Sequence, residues 1–200
     1  MVDWIRLKYV AEINPNSLPD DTDPQLEIRY VDISSVGQGR LVAEPTTMNF
    51  SDAPLRARRL VKHNDTIVST VRTYLKAVWP VEGPTDNLVV STGFAVVSPH
   101  SVDPRYLSWY LQSDVFLDQV TARSVGVSYP AIDATSLGEI GIRLPSIAEQ
   151  REIADFLDAE TSRLDSLIAQ ERRLLELLQE RRQTSLTAAI KGKLACPIRP

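Results

Sequence analysis

The chain has 200 residues, 43% of them apolar and 24% charged, enough for one folded domain with an appendage. No apolar run approaches the roughly 20 residues that span a bilayer, the opening Met1-Val2-Asp3-Trp4 lacks the basic-then-apolar text of a leader, and the one cysteine, Cys196, cannot close an internal disulfide. These features predict a cytoplasmic chain with no membrane contact, and a net charge of −4 excludes a bulk electrostatic binder of nucleic acid, which needs many cations on phosphates.

In chain order, residues 27–33 (EIRYVDI) alternate apolar and polar side chains, the period of a half-buried strand. A basic island follows. Between Arg56 and Lys76 stand Arg56, Arg58, Arg59, Lys62, Arg72 and Lys76 against one acid, Asp65, a local net charge of +5 in an otherwise acidic first part. Within the island, 66–71 (TIVSTV) is β-branched and predicts a strand. Two more strands are predicted at 88–91 (LVVS) and 94–97 (FAVV), bounded by turn residues. Asp103-Pro104 predicts a helix start, with Asp103 as N-cap and Pro104 at the first helical position. Tyr106, Leu107, Tyr110 and Leu111 then repeat at helical spacing. Residues 139–144 (EIGIRL) alternate again and stop at Pro145. The expected fold is α+β, with a mixed α/β domain over residues 1–145 followed by a long C-terminal helix that forms a coiled coil.

Past Pro145 the text changes: residues 146–191 contain neither proline nor glycine. Ser146 and Glu149 have the spacing of a capping box, in which each side chain satisfies the other's backbone amide. The helix runs to about Ile190, with Gly192 a natural stop. About 44 residues at 1.5 Å each make a rod of roughly 66 Å. Its apolar residues recur at three-, four- and seven-residue steps, a stripe that seeks a partner helix. Leu157, Leu164, Leu167, Ile168, Leu174, Leu175 and Leu178 are the expected dimer interface. Residues 146–192 form the dimerisation helix and 193–200 a tail.

Ordered text in both parts resembles the specificity subunits of type I restriction–modification systems. In the helix it is Leu144-Pro145-Ser146-Ile147-Ala148-Glu149-Gln150-Arg151-Glu152-Ile153, then Phe156-Leu157-Asp158, Ile168, Leu177-Leu178-Gln179-Glu180-Arg181-Arg182, and Ala188-Ala189-Ile190-Lys191-Gly192-Lys193. In the first part, Asn64-Asp65-Thr66-Ile67-Val68-Ser69-Thr70-Val71-Arg72, Ser91-Thr92-Gly93-Phe94, Tyr106-Leu107 and the glycine-containing 124–132 (SVGVSYPAI) are similar to the target-recognition domain of that family. Full-length members carry two recognition domains and two such helices, and this chain has one of each. It reads either as a half-length subunit or as a fragment, and the opening Met and the one-plus-one organisation favour the half-length form.

The resemblance implies a non-catalytic, sequence-specific binder of double-stranded DNA. It also implies docking to a type I methyltransferase subunit and to a motor–nuclease subunit. S-adenosylmethionine and ATP are then expected on those partners, with no cofactor on this chain. The residues agree: no phosphate-binding Gly-x-x-x-x-Gly-Lys-Ser/Thr loop and no Asn/Asp-Pro-Pro-Tyr/Phe tetrapeptide occurs, and His63, His100 and Cys196 make no metal-ligand spacing. Base edges carry the sequence information and phosphates position the protein. The run 69–76, taken as leaving a strand, would carry Thr70, Arg72, Tyr74 and Lys76 on one face, with Arg72 on bases and Lys76 on phosphate. The loop 123–129 offers Arg123, Ser124, Gly126, Ser128 and Tyr129, and Arg56, Arg58, Arg59 and Lys62 are phosphate candidates. Antiparallel pairing of two helices would place two recognition domains at opposite ends and read an interrupted palindrome. Two alternatives stand beside this reading: a DNA-binding regulator or decoy without a methyltransferase, and a coiled-coil interaction module.

Overall fold

The computed structural model describes residues 3–191. Ten strands form three sheets: β1 (Asp3–Arg6), β2 (Ala11–Ile13), β3 (Glu27–Val31), β4 (Thr46–Asn49), β5 (Ala57–Leu60), β6 (Thr66–Ser69), β7 (Val78–Pro80), β8 (Leu88–Ser91), β9 (Phe94–Pro99) and β10 (Gly141–Leu144). The helices are α1 (Pro104–Gln112), α2 (Asp114–Arg123), α3 (Ala134–Gly138) and α4 (Ile147–Ile190). The strand orders are β1-β10, β2-β9-β6-β7 and β4-β3-β8-β5, and β3–β8 is the parallel pair.

Burial on both faces explains why β6, β8 and β9 lack polar alternation. In β9, Phe94 and Val96 face one core while Ala95 and Val97 face another. In β6, Ile67 and Val68 divide the same way. In β8, Leu88 and Val90 join the core between the two larger sheets, and Val89 joins a third with Ile28, Tyr30 and Ala57. A strand buried on both faces carries no polar alternation. Against the outer face of the β9–β6 sheet pack Tyr106, Leu107 and Leu111 of α1 and Phe116, Leu117 and Val120 of α2.

Asp103 caps α1 as expected, accepting from the amides of Arg105 (3.0 Å) and Tyr106 (3.2 Å). The capping box also forms. The Ser146 amide donates to Glu149 Oε2 at 3.0 Å, and the Glu149 amide approaches Ser146 Oγ at 3.4 Å. The compact unit closes at Ala154, beyond the boundary expected at 145. The reason is Gln150 and Ala154, both buried. Gln150 Oε1 accepts from the Asp103 amide (2.9 Å) and its Nε2 donates to the Pro145 carbonyl (2.8 Å), so the first turns of α4 satisfy backbone groups of the domain. The strand expected at 139–144 begins at Gly141, because Glu139 caps the end of α3 and binds Arg6 (2.7 Å) and Lys8.

From Asp155 onward α4 is a unit of its own. Phe156, Leu164, Leu167, Ile168, Leu174, Leu175, Leu178 and Leu186 are each roughly half exposed, and Leu157 is partly covered. Gly192 and the 193–200 tail with Cys196 lie outside the described residues.

Candidate nucleic-acid interface

The basic island does not continue as a strand. Extended pairing of β6 ends at Ser69, whose amide closes the base of a loop on the Ala77 carbonyl (2.9 Å). The loop holds a 3-10 turn, Thr73–Leu75, between Arg72 and Lys76, both left-handed (φ 51° and 50°). The expected alternation of Thr70, Arg72, Tyr74 and Lys76 on one strand face is therefore replaced by a tight turn. Thr70 turns inward, its amide and hydroxyl both donating to the Gly93 carbonyl (2.8 and 2.9 Å). A Cβ on Gly93 would lie 2.2 Å from Ile33 Cδ1, so a larger residue there requires the Ile33 side chain to shift. Tyr74 points out, 54% exposed.

A second loop is bound to the first. Residues 125 and 131 exchange backbone hydrogen bonds (2.8 and 3.0 Å), and Gly126 sits at φ +117°, where a side chain is strained. The Ile132 amide donates to the Thr70 carbonyl (2.9 Å), Val71 bridges Ala131, and the Thr73 and Ser124 hydroxyls meet at 2.7 Å. The Arg72 guanidinium lies over the Tyr129 ring, 4.9 Å from its centroid, a cation–π contact that orients it. Among the described residues no carboxylate ion-pairs with Arg72. The fold thus brings together Arg72, Tyr74, Ser124, Gly126, Ser128 and Tyr129 from two loops far apart in sequence. Arg123 ends α2 beside them, its Nη1 donating to the carbonyl (3.4 Å) and side-chain oxygen (3.3 Å) of Gln119. Val125 and Val127, absent from the sequence-based candidates, project at this tip, 80% and 102% exposed.

Lys76, expected on phosphate, is ion-paired to α2. Its ammonium donates to Asp114 (2.7 Å) and Asp118 (3.0 Å), one turn apart on α2. These two carboxylates raise its pKa. These contacts tie the loop to α2 and pair the amine with two carboxylates. Lys76→Ala is expected to leave the salt dependence of DNA binding unchanged while hydrogen exchange in residues 70–76 speeds up. A shallower salt slope would show that the amine reaches phosphate after all.

Arg56 and Arg58 are also engaged. Arg56 donates to Asp32 Oδ2 through Nε (3.0 Å) and Nη2 (2.6 Å), and its Nε meets the Tyr30 hydroxyl at 3.1 Å. Burial alone would push the Asp32 pKa up, but the Arg56 hydrogen bonds, the Ser34 amide and the Tyr30 hydroxyl outweigh it and hold it below the ordinary 3.8. A depressed carboxylate stabilises the fold above its unfolded pKa and loses that contribution as pH falls through its folded one. Asp32→Asn is thus expected to melt below wild type at pH 7, with the gap closing as the solution is acidified below 3.8. A gap that widens in acid would contradict the pairing.

Arg58 is held by the Leu55 and Pro19 carbonyls, Asp20 and the Phe50 ring, and is 23% exposed. Arg59 is partly buried, its Nε lacks a partner, and desolvation lowers its pKa. Exposed Lys62 lines a separate recess with Glu12, His63 and Asp65. Among the described residues no group of three metal-ligating side chains forms, and no helix is long and apolar enough to cross a membrane. The Lys76 clamp was hidden from the sequence because α2 itself was not predicted. An acidic pair four residues apart after Ser113 was the available signal.

A small α+β domain that runs into one long amphipathic helix is a fold this chain shares with part of solved S subunits of restriction systems. The crystal structure of the HsdS subunit from Thermoanaerobacter tengcongensis is 28% identical, with a TM-score of 0.74 over 100% of this chain and 51% of its own. The S subunit from M. genitalium, 15% identical with a TM-score of 0.56, covers 94% of this chain and 46% of its own and shares the fold. The type I restriction modification DNA specificity domain model matches residues 6–177, and the chain belongs to that family. Among curated relatives, the StySPI specificity subunit of Salmonella potsdam is 31% identical over 98 residues, 49% of this chain and 21% of the relative. The EcoKI specificity subunit of Escherichia coli (strain K12) is 29% identical over 89 residues, 44% and 19% respectively. The chain spans about half the length of these solved relatives, and its matched part about a fifth of the curated ones.

Proposed function

We propose that this chain is the DNA-reading subunit of a type I restriction–modification system and performs no catalysis itself. The observation that carries the reading is the two-loop rim, where Arg72 stands on Tyr129 with no carboxylate to neutralise it. An oriented guanidinium presents paired donors that match the O6 and N7 acceptors of guanine in the major groove. The exposed hydroxyls of Tyr74 and Ser128 can donate or accept at neighbouring base edges. Arg123 flanks the rim with positive charge.

Two copies pair through the stripe of α4 in antiparallel fashion, and the dimer reads an interrupted palindrome, since operator symmetry mirrors protein symmetry. A helix of 44 residues extends about 66 Å, which limits the half-site separation to about 19 base pairs. The dimer docks methyltransferase subunits, which hold S-adenosylmethionine, and a motor–nuclease subunit, which uses ATP.

The test is a genome-wide map of methylated adenines after coexpression with a candidate type I methyltransferase subunit. An interrupted palindrome that vanishes when this chain is omitted is the expected result. An asymmetric motif would replace the homodimer with a pairing to a different recognition domain. A complex that forms and methylates nothing would replace the reading with a DNA-binding regulator.

A further inference from the structure

The apolar stripe of α4 is mirror-symmetric about one charged residue. Ile168 and Leu174 lie three residues on either side of Glu171, Leu167 and Leu175 lie four, and Leu164 and Leu178 lie seven. Farther out, Phe156 and Leu186 lie fifteen residues away on either side. The six inner side chains are 48–58% exposed in the single chain. Offsets of three, four and seven place all of them on the helix face of Glu171 itself.

A simple heptad does not do this. From one core position it fills three residues ahead and four behind, and leaves the two mirror positions open. Here the doublets Leu167-Ile168 and Leu174-Leu175 fill all four. Mirror symmetry has no value in a parallel pair, where each residue meets its own copy, nor against a helix of unrelated sequence. It is what an isologous two-fold contact requires, because residue i must suit j while j suits i.

We propose that a second copy docks antiparallel on this stripe with the two-fold axis at Glu171. The inference rests on the homodimer reading above and adds its register. Leu164 then faces Leu178 of the second copy, Leu167 faces Leu175, and Ile168 faces Leu174, each twice. The two Glu171 side chains meet on the axis. Arg172, the next residue, brings one guanidinium from each copy alongside the opposite carboxylate, so the central layer is self-complementary and neutral. Toward the ends the symmetry thins: Leu157 mirrors Ser185 and Leu177 mirrors Asp165. A polar layer inside an apolar seam specifies register, because any slip leaves the carboxylates against leucine.

Cysteine cross-linking of the full-length chain tests this, in a Cys196→Ser background. A residue on the axis lies close to its own copy, within disulfide reach, and one seven residues away does not. Glu171→Cys is expected to form a covalent dimer by itself. Leu164→Cys alone and Leu178→Cys alone are expected to stay monomeric on non-reducing gels. An equal mixture of those two, one carrying a size tag, is expected to give the mixed dimer. Self-cross-linking of Leu164→Cys as fast as Glu171→Cys would overturn the register, as a parallel seam or a slipped one. A single-chain mass for the unmodified protein, alone and in complex with a methyltransferase subunit, would overturn the homodimer reading itself and this inference with it.

Discussion

If the proposed dimer forms through α4, the double substitution Leu174→Glu and Leu175→Glu is expected to convert it to a monomer and to abolish methylation of the proposed interrupted palindrome. Both leucines are half exposed in the single chain, at 50% and 58%, so neither supports the fold of the recognition domain. On dimerisation each would be covered. At about 1.5–3 kcal/mol per buried leucine, four lost side chains per dimer remove roughly 6–12 kcal/mol. Four carboxylates introduced into the seam add a desolvation penalty on top. Every 1.4 kcal/mol is about tenfold in the dissociation constant, so no dimer survives at micromolar concentration. Sedimentation should report a single-chain mass, while near-ultraviolet circular dichroism of the domain should be unchanged. A dimer that persists would place the seam elsewhere on the helix.

Arg72→Ala is expected to cost about 1–3 kcal/mol, roughly 5–150-fold, in affinity for the target sequence. Affinity for unrelated DNA should fall far less, and the salt slope should change by at most about one phosphate. The ratio of the two affinities, measured by fluorescence anisotropy at several salt concentrations, is the readout. Tyr129→Ala should give a smaller loss, because it removes the ring that orients the guanidinium, about 0.5–2 kcal/mol. The two substitutions together should cost less than their sum, since they share one interaction. An equal loss on target and unrelated DNA would make Arg72 a phosphate contact and move base reading to other side chains of the rim.

These expectations separate two kinds of information in the chain. The strands that were legible, β3, β6, β8, β9 and β10, carry strong local patterns. Three of them, buried on both faces, lack polar alternation. The strands that were missed, β1, β2, β4, β5 and β7, have three or four residues each, and β5 is itself part of the basic island (ARRL). Pairing with neighbours holds such segments extended, and no local periodicity announces them. Helix α2 was missed for a related reason. Its burial rests on Phe116, Leu117 and Val120, too few to make a periodic signal in ten residues.

The same division runs through the candidate interface. The two segments were visible as text, one basic and one built around Gly126. Their junction was not, because Val71 to Ala131 and Arg72 to Tyr129 are contacts between residues nearly sixty positions apart. Sequence composition counted six cations in the island but could not tell which were neutralised. Asp114 and Asp118 take Lys76, Asp32 takes Arg56, and the Phe50 ring and neighbouring carbonyls cover Arg58. Arg72 stays open because two left-handed residues turn the loop outward there.

What the sequence determined by itself is whatever depends on neighbours a few residues apart: the capping box, the 44-residue helix and its symmetric stripe, and the doubly buried strands. Helical and strand periodicity are local, and a side chain's face follows from its position. The tertiary structure alone decided which charges remain available to a ligand. Ion pairs form across distances that no spacing rule encodes, and each one removes a cation from the list that composition supplied.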